Sequence, residues 1–205
     1  MSVARALGQL GGTATWSELR RQVSKRTLLA AVADGAVVRK SRGLYCLPER
    51  TNFAVARMLR GAISHLSAAQ VWDLGILTPP AELHITVSRH RSRVRAPAGV
   101  CVHYGVVTEA DLDAGVTGAL RTVVDCAKSC SVPQALAVAD TAVRTALVAK
   151  GELLRAVTQL RGTGSGRARR VAHGSIRERH LRSSPRCAAC CTRTGSPASS
   201  RSSAS

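Results

Sequence analysis

The stretch of this chain that most constrains its fold is residues 15–48, TWSELRRQVSKRTLLAAVADGAVVRKSRGLYCLP. Thr15 and Glu18 have the spacing of a capping box, in which two side chains satisfy free backbone N–H groups at the start of a helix. Ser24 can cap a second helix shortly afterwards. Two N-terminal signals this close together predict two short consecutive helices joined by a turn.

A β-hairpin is predicted after the second of these helices. Gly35 lies just past the helix, where a left-handed residue commonly ends it. Two short β-type runs follow at residues 36–40 and 43–47, and Gly43 can take the positive φ that the turn between them requires. The apolar face of the helix is predicted to hold Leu28, Leu29 and Val32. With a first helix in residues 1–10, this order predicts a winged helix-turn-helix over residues 1–50.

The second helix and the hairpin tip of this predicted unit are basic. A helix that fits the major groove, with a basic ribbon beside it, is a DNA-reading surface. The predicted DNA contacts are Arg20, Arg21, Lys25, Arg26, Thr27, Arg39, Lys40 and Arg42. The alternative is a protein-interaction module whose charges form only a solvated face. DNA contact is favoured because these cations fall where backbone phosphates would lie.

The charge of the whole chain also favours an anionic partner. The formal net charge is +18, and residues 1–162 alone hold 21 Lys and Arg against 11 Asp and Glu. An aromatic content of 2% argues against a base-stacking platform for single strands, so double-stranded DNA is the expected partner. No apolar run approaches the roughly 20 residues of a membrane span, and the N-terminus lacks the apolar core of a signal peptide. We therefore expect a cytoplasmic protein with no membrane partner.

Residues 51–162 predict a small α/β domain that ends in a helical bundle, which makes the chain α+β as a whole. Asn52 is a candidate cap for a helix through Arg60, and Ser67 is a candidate cap for the next one. Strands are predicted at residues 83–88 and 99–107. Three helices then follow at residues 120–129, 132–145 and 151–160, and their broad apolar faces indicate packing elements.

The two predicted strands of this domain can pair as a hairpin with a basic loop. Alternate residues of an extended segment point the same way, so four arginines of the loop form a candidate second nucleic-acid contact. They are Arg89, Arg91, Arg93 and Arg95. An exposed loop without any partner is an equally weighted alternative.

Neither a metal site nor a catalytic site is predicted, and no cofactor is expected. Four cysteines lie in apolar or helical contexts, where a thiol commonly serves as a small core residue. These are Cys46, Cys101, Cys126 and Cys130. Three more, Cys187, Cys190 and Cys191, have a C-x-x-C spacing but lack a convincing fourth ligand for zinc. Asp125 has no second carboxylate or histidine at a suggestive spacing, so a surface or capping role is favoured.

The C-terminal region differs in composition from the rest of the chain. Residues 162–167, GTGSGR, predict a flexible linker, and the Ser- and Arg-rich residues 163–205 predict a disordered basic tail. One interpretation is a nucleic-acid-binding tail. The other, which is favoured, is a frameshift product, because residues 183–203 are compatible with a second frame that encodes an amphipathic helix and a Gly-Pro turn. In that case the C-x-x-C spacing is an accident of codons.

Four segments together resemble actinobacterial proteins of the AbiEi family, the antitoxin side of abortive-infection type IV toxin–antitoxin systems. They are the segment 15–48 quoted above, ISHLSAAQVWDL, LHITVSRHRSR and TVVDCAKSCSVPQALAVADTAVRTALV, and the resemblance covers roughly residues 1–172. It implies an N-terminal winged helix that binds operator DNA and represses its own operon. It also implies a following domain that contributes to antitoxin action against a nucleotidyltransferase-like toxin.

Many members of that family carry a further domain similar to very-short-patch-repair endonucleases, and the second frame described above looks like the opening of such a domain. The nuclease-type carboxylates have no matching position in this chain, so nuclease activity is not implied. We therefore predict a DNA-binding regulator of antitoxin type that is not an enzyme. The alternatives are the remnant of an endonuclease-like protein without its catalytic domain, and a protein-interaction antitoxin with little DNA specificity.

Overall fold

The computed structural model describes residues 2–182, and side chains through residue 175. The predicted C-x-x-C cysteines at 187, 190 and 191 lie outside the described residues. The chain has a mixed α/β fold in which two three-stranded sheets are followed by a group of helices. None of the described helices combines the length and apolar character that crossing a bilayer would require.

The first unit alternates short helices and strands around one antiparallel sheet. Its elements are α1 (Val3–Gln9), β1 (Thr13–Thr15), α2 (Trp16–Leu19), α3 (Lys25–Ala33), β2 (Val38–Ser41) and β3 (Leu44–Cys46). The sheet order is β1-β3-β2, with β3 in the centre. The core beneath it includes Leu7, Leu19, Leu28 and Val37, each no more than 1% exposed.

The capping and turn signals predicted for this unit are confirmed. The Glu18 carboxylate accepts a hydrogen bond of 2.6 Å from the Thr15 backbone N–H, and Ser24 Oγ accepts one of 3.1 Å from the N–H of Thr27. Gly35 and Gly43 take positive φ angles of 73° and 80°. The predicted apolar face of α3 is only partly buried, because the Leu29 side chain is 52% exposed.

The next unit surrounds a second sheet of order β4-β5-β6. Its elements are α4 (Thr51–Met58), β4 (Gly61–Ile63), α5 (His65–Val71), β5 (Leu83–Ser88), β6 (Val100–Gly105) and α6 (Glu109–Ala114). Neither predicted cap holds: Arg50 precedes α4 and Ser64 precedes α5, so Asn52 and Ser67 lie inside these helices. The Ser67 hydroxyl instead accepts a hydrogen bond of 2.9 Å from the backbone N–H of His84.

The predicted hairpin of β5 and β6 is wrong. The two strands pair in parallel, with Leu83 opposite Val100 and Ser88 opposite Gly105, whereas β4 and β5 are antiparallel. In parallel pairing, the chain must return to the end of the sheet at which β5 began before β6 can start. Residues 89–99 therefore form a crossover connection and not a tight loop. Arg93 also has a positive φ of 29°, so its arginines do not follow one extended ribbon.

Helix α4 contributes to two hydrophobic clusters at once. Ala54 packs with Leu44 and Cys46 of the first sheet. The adjacent residues Val55 and Ala56 pack in a separate cluster with residues of the second sheet. The two sheets therefore both pack against buried side chains of the same short helix.

The last four helices form a bundle with an alanine- and valine-rich core. They are α7 (Ala119–Ser129), α8 (Val132–Arg144), α9 (Lys150–Gln159) and α10 (Ser165–Arg182). The linker and tail predictions are wrong for the start of α10, because Ala168, Val171 and Ala172 are each no more than 1% exposed. Composition is misleading here because small residues, which are typical of linkers, also allow helices to pack closely.

Candidate nucleic-acid interface and histidine cluster

The residues predicted to contact DNA are nearly all on the surface. Lys25, Arg26 and Thr27 are the first three residues of α3, directly after its cap. Arg39 and Lys40 lie in β2, and Arg42 lies in the turn that follows. The exposed side chains are those of Arg20, Arg21, Lys25, Arg26, Thr27, Arg39 and Arg42, whereas Lys40 is half-buried. The fold thus leaves the predicted contacts available to a ligand.

Among the side chains that the structure describes, these cations have no carboxylate partner. Among residues 2–175, ion pairs join Arg57 to Glu18 and Arg121 to Asp125, and none of the predicted contact residues takes part. The positive charge of this surface is therefore not neutralised by side chains of the described chain. A cation in this state is free to replace the counterions of a phosphate backbone.

Thr27 has a structural role that the sequence did not reveal. Its hydroxyl lies 2.7 Å from Ser24 Oγ, and its backbone N–H donates to the same oxygen. A base contact through this hydroxyl would compete with its hydrogen bond to Ser24 Oγ, the oxygen that caps α3. An experiment on Thr27 must therefore distinguish an effect on the helix cap from an effect on DNA recognition.

The second predicted contact is only partly available. All four arginines of the crossover, Arg89, Arg91, Arg93 and Arg95, are exposed. The Arg91 guanidinium donates a hydrogen bond to the backbone carbonyl of Leu59, which ties it to the end of α4. The group is thus not a row of equivalent free cations.

The second sheet carries a cluster that sequence reasoning did not connect. His84 of β5 lies opposite Cys101 of β6, and Thr86 lies opposite His103. Since alternate strand residues share a face, all four side chains project from one side of the sheet. His84 Nδ1 lies 2.8 Å from His103 Nε2, and Cys101 Sγ lies 3.6 Å from the same nitrogen. One ligand atom each of His84, Cys101 and His103 lies within 4.8 Å of the others.

A third histidine packs over this cluster. His65 begins α5 with a positive φ of 52°, which is unusual for a residue with a side chain. Its ring stacks on that of His103, with 3.7 Å between centroids, and its Nδ1 lies 2.9 Å from Ser64 Oγ. Burial, followed by repulsion from His103 and His84, lowers the pKa of His65 to about 3. His65 is therefore neutral at physiological pH.

Two cavities adjoin the histidines. One, of about 610 Å³, is lined by all three histidines, by Cys130 just after α7 and by Gln134 of α8, among others. The other, of about 470 Å³, is lined by Thr86 and Lys128 among others. Within residues 2–175, the Thr86 hydroxyl is the one fully buried side-chain polar atom without a hydrogen-bond partner. Buried orphan groups are uncommon and are typical of sites that accept a ligand or water.

Asp125 borders the smaller cavity but does not have the surface role predicted for it. It is buried, and its carboxylate accepts a hydrogen bond of 2.6 Å from Arg121 Nε. Burial raises the pKa of Asp125, and the neighbouring guanidinium offsets this only in part. Arg121 also donates to the Val106 carbonyl, so the pair connects α7 to the chain that follows β6.

The cysteine predictions hold for two of the four residues. Cys46 and Cys126 are buried, whereas Cys101 and Cys130 are only partly buried and border polar surroundings. Polar residues alternate in both strands, His84 and Thr86 in β5 and Cys101 and His103 in β6. This alternation could have indicated a polar cluster on one face of the sheet. The observed partners, His84 opposite Cys101 and Thr86 opposite His103, follow from the parallel register, which a hairpin prediction does not give.

No family model matches this chain, and no curated protein matches it. Among solved structures, the crystal structure of the RV2827C protein from Mycobacterium tuberculosis aligns with a TM-score of 0.49 and 15% sequence identity. The alignment covers 85% of this chain and 76% of that one.

Proposed function

We propose that this protein is a sequence-specific double-stranded DNA-binding regulator of antitoxin type, and that α1 to β3 act as a winged helix-turn-helix. In this proposal α3 enters the major groove and the β2–β3 hairpin is the wing. The element order, the Ser24 cap and the glycine turn at Gly43 support it.

The observation that carries the proposal is the positive charge at two places of the first unit, which has no carboxylate partner within residues 2–175. Lys25 and Arg26 begin α3, where the N–H groups of the helix terminus add a partial positive charge. Arg39, Lys40 and Arg42 lie on the hairpin strand and turn. Phosphate contacts at both places would hold the helix in a fixed register on the duplex, so that its outer residues can read bases.

The number of available cations limits the salt dependence. Seven Lys and Arg residues belong to the predicted surface, and each phosphate neutralised contributes about −0.9 to the slope of log K against log salt. Full engagement would give a slope of about −6. A substantially steeper slope would require cations from outside this surface.

The biological part of the proposal is autorepression of the operon that encodes the protein. A nucleotidyltransferase-like toxin is the second proposed partner, contacted through residues C-terminal to the DNA-binding unit. No enzymatic step is assigned to the chain. The antitoxin component rests on the family resemblance and requires its own test, namely whether co-expression relieves the toxicity of a neighbouring gene product.

The deciding experiment compares binding of the full chain to the DNA upstream of its own gene with binding to shuffled DNA, at two salt concentrations. We expect preference for the upstream DNA to persist at the higher salt. Arg42→Ala should weaken binding to both DNAs and reduce the salt slope by about 1. Arg144→Ala, an exposed arginine of α8, is the matched control and should change neither. Equal losses from both variants, or no preference at either salt, would reject the proposal.

Sequence readout is tested separately at Thr27. Thr27→Ser keeps the hydroxyl that lies beside Ser24, whereas Thr27→Val removes it. If Thr27 reads a base through its methyl group, the serine variant should change base preference at one operator position while the protein keeps its stability. A serine variant with unchanged preference would restrict Thr27 to the cap.

A further inference from the structure

We propose that His84, Cys101 and His103 bind one Zn²⁺ ion, with a water molecule as the fourth ligand. Two imidazole nitrogens and a thiolate are ligands that zinc prefers, and three protein ligands with an open position are a recurring zinc arrangement. The three residues come from adjacent strands of one sheet, which fixes their backbones relative to one another. The site is separate from the proposed DNA surface.

Two of the three separations between ligand atoms approach those of a tetrahedral site, and all three lie within 4.8 Å. Zinc bonds of about 2.3 Å to sulfur and 2.0–2.1 Å to nitrogen imply separations of about 3.6 Å between sulfur and nitrogen and about 3.3 Å between nitrogens. Cys101 Sγ lies 3.6 Å from His103 Nε2, which fits the first value. The two nitrogens lie 2.8 Å apart and must separate by about 0.5 Å on metal binding, a movement that small ring rotations supply.

Protons balance in this step. Each imidazole ring, in its neutral form, keeps one nitrogen lone pair that can bind the metal. The proton now shared between His84 Nδ1 and His103 Nε2 moves to the other nitrogen of its ring. Cys101 releases its thiol proton to solvent when the Zn–S bond forms. Binding therefore releases one proton per metal ion.

The surroundings of the ligands support an open site. His65 stacks on His103 and holds its ring plane, a role that neighbours of metal ligands commonly have. The cavity of about 610 Å³ reaches His84 and His103 and has room for a metal-bound water. Ser129 and Gln134 are among the polar residues that line this cavity. A hydrophobic cluster would offer none of these groups.

The test measures metal content of the untagged full chain after dialysis against trace Zn²⁺. The background carries Cys187→Ser, Cys190→Ser and Cys191→Ser, so that the C-terminal thiols cannot supply the ligands. We expect one zinc per chain in both the natural sequence and this background. Loss of zinc in the background alone would locate the metal on the C-terminal cysteines and overturn the proposal.

Substitutions at the ligands then identify the site. Cys101→Ser and His84→Gln should each abolish stoichiometric zinc, whereas the exposed His90→Gln and the cavity residue Cys130→Ser should retain it. Cobalt in place of zinc should give a sulfur-to-metal charge-transfer band and tetrahedral visible bands, both lost in Cys101→Ser. Circular dichroism of Cys101→Ser verifies that the fold is intact. Zinc content of His84→Gln tests the same site through a second ligand. Zinc retained in Cys101→Ser, or lost in Cys130→Ser, would refute the assignment.

Discussion

The burial of α10 leads to a prediction that contradicts the composition of its sequence. Val171 is 1% exposed in the helical core, although it follows a Gly- and Arg-rich segment that looks like a linker. Val171→Ala removes two methyl-sized groups at about 0.8 kcal/mol each and leaves a small cavity, so we expect a loss of about 2 kcal/mol in the free energy of unfolding. In a chain of this size the melting temperature should fall by about 4–8 °C.

The assay is urea denaturation of the full chain, followed by circular dichroism, with thermal melting as a second probe. Arg170→Ala is the matched control, because Arg170 is the exposed neighbour of Val171 and should change stability by less than about 0.5 kcal/mol. Arg167 and Arg169 are unsuitable controls, since their guanidinium groups bond backbone carbonyls at the ends of α7 and α9. If both variants unfold at the same urea concentration as the parent, α10 does not belong to the core and the reasoning fails.

Two further predictions concern the ends of helices. Burial raises the pKa of Glu18, but hydrogen bonds from Thr15 and Arg57 outweigh it and leave the pKa below 4.5. The stabilisation from Glu18 is therefore present above pH 4.5 and lost as the pH falls through the lower folded value, and denaturation of Arg57→Ala across the acid range should show a weaker pH dependence. Gly164→Ala should destabilise the chain by more than about 1 kcal/mol, because φ is 83° and the new Cβ would lie 2.7 Å from the Lys128 carbonyl oxygen. Gly166→Ala, with open space inside α10, should instead stabilise it by about 0.5–1 kcal/mol, and equal melting temperatures for the two variants would contradict this account.

The parts of the fold that could be predicted from the sequence are those with local causes. Ser24 caps α3 because its oxygen is held within reach of a free N–H by the chain itself. Gly35 and Gly43 mark turns because each turn depends on the positive φ angle of the glycine itself. Helices α7, α8 and α9 follow from the spacing of their apolar residues. Their predicted bounds differ little from the observed ones.

The parts that could not be predicted depend on distant residues. Whether β6 pairs in parallel or antiparallel with β5 is decided by where residues 89–99 cross, and no local signal in the crossover encodes it. The same pairing brings Cys101 beside His84, so the histidine cluster was missed together with the register. Composition failed at Ala168 for a related reason, since small residues are equally suited to a linker and to close helix packing.

The sharing of α4 between two cores has a consequence for rotational diffusion. Ala54 lies in one cluster while Val55 and Ala56 lie in the next, so a swivel between the sheets would pull apart apolar contacts on one side of a two-turn helix. Linkers that permit independent tumbling are exposed and make few contacts, and this connection is the opposite. Backbone amides of β3 and of β5 should therefore report one common rotational correlation time by NMR relaxation.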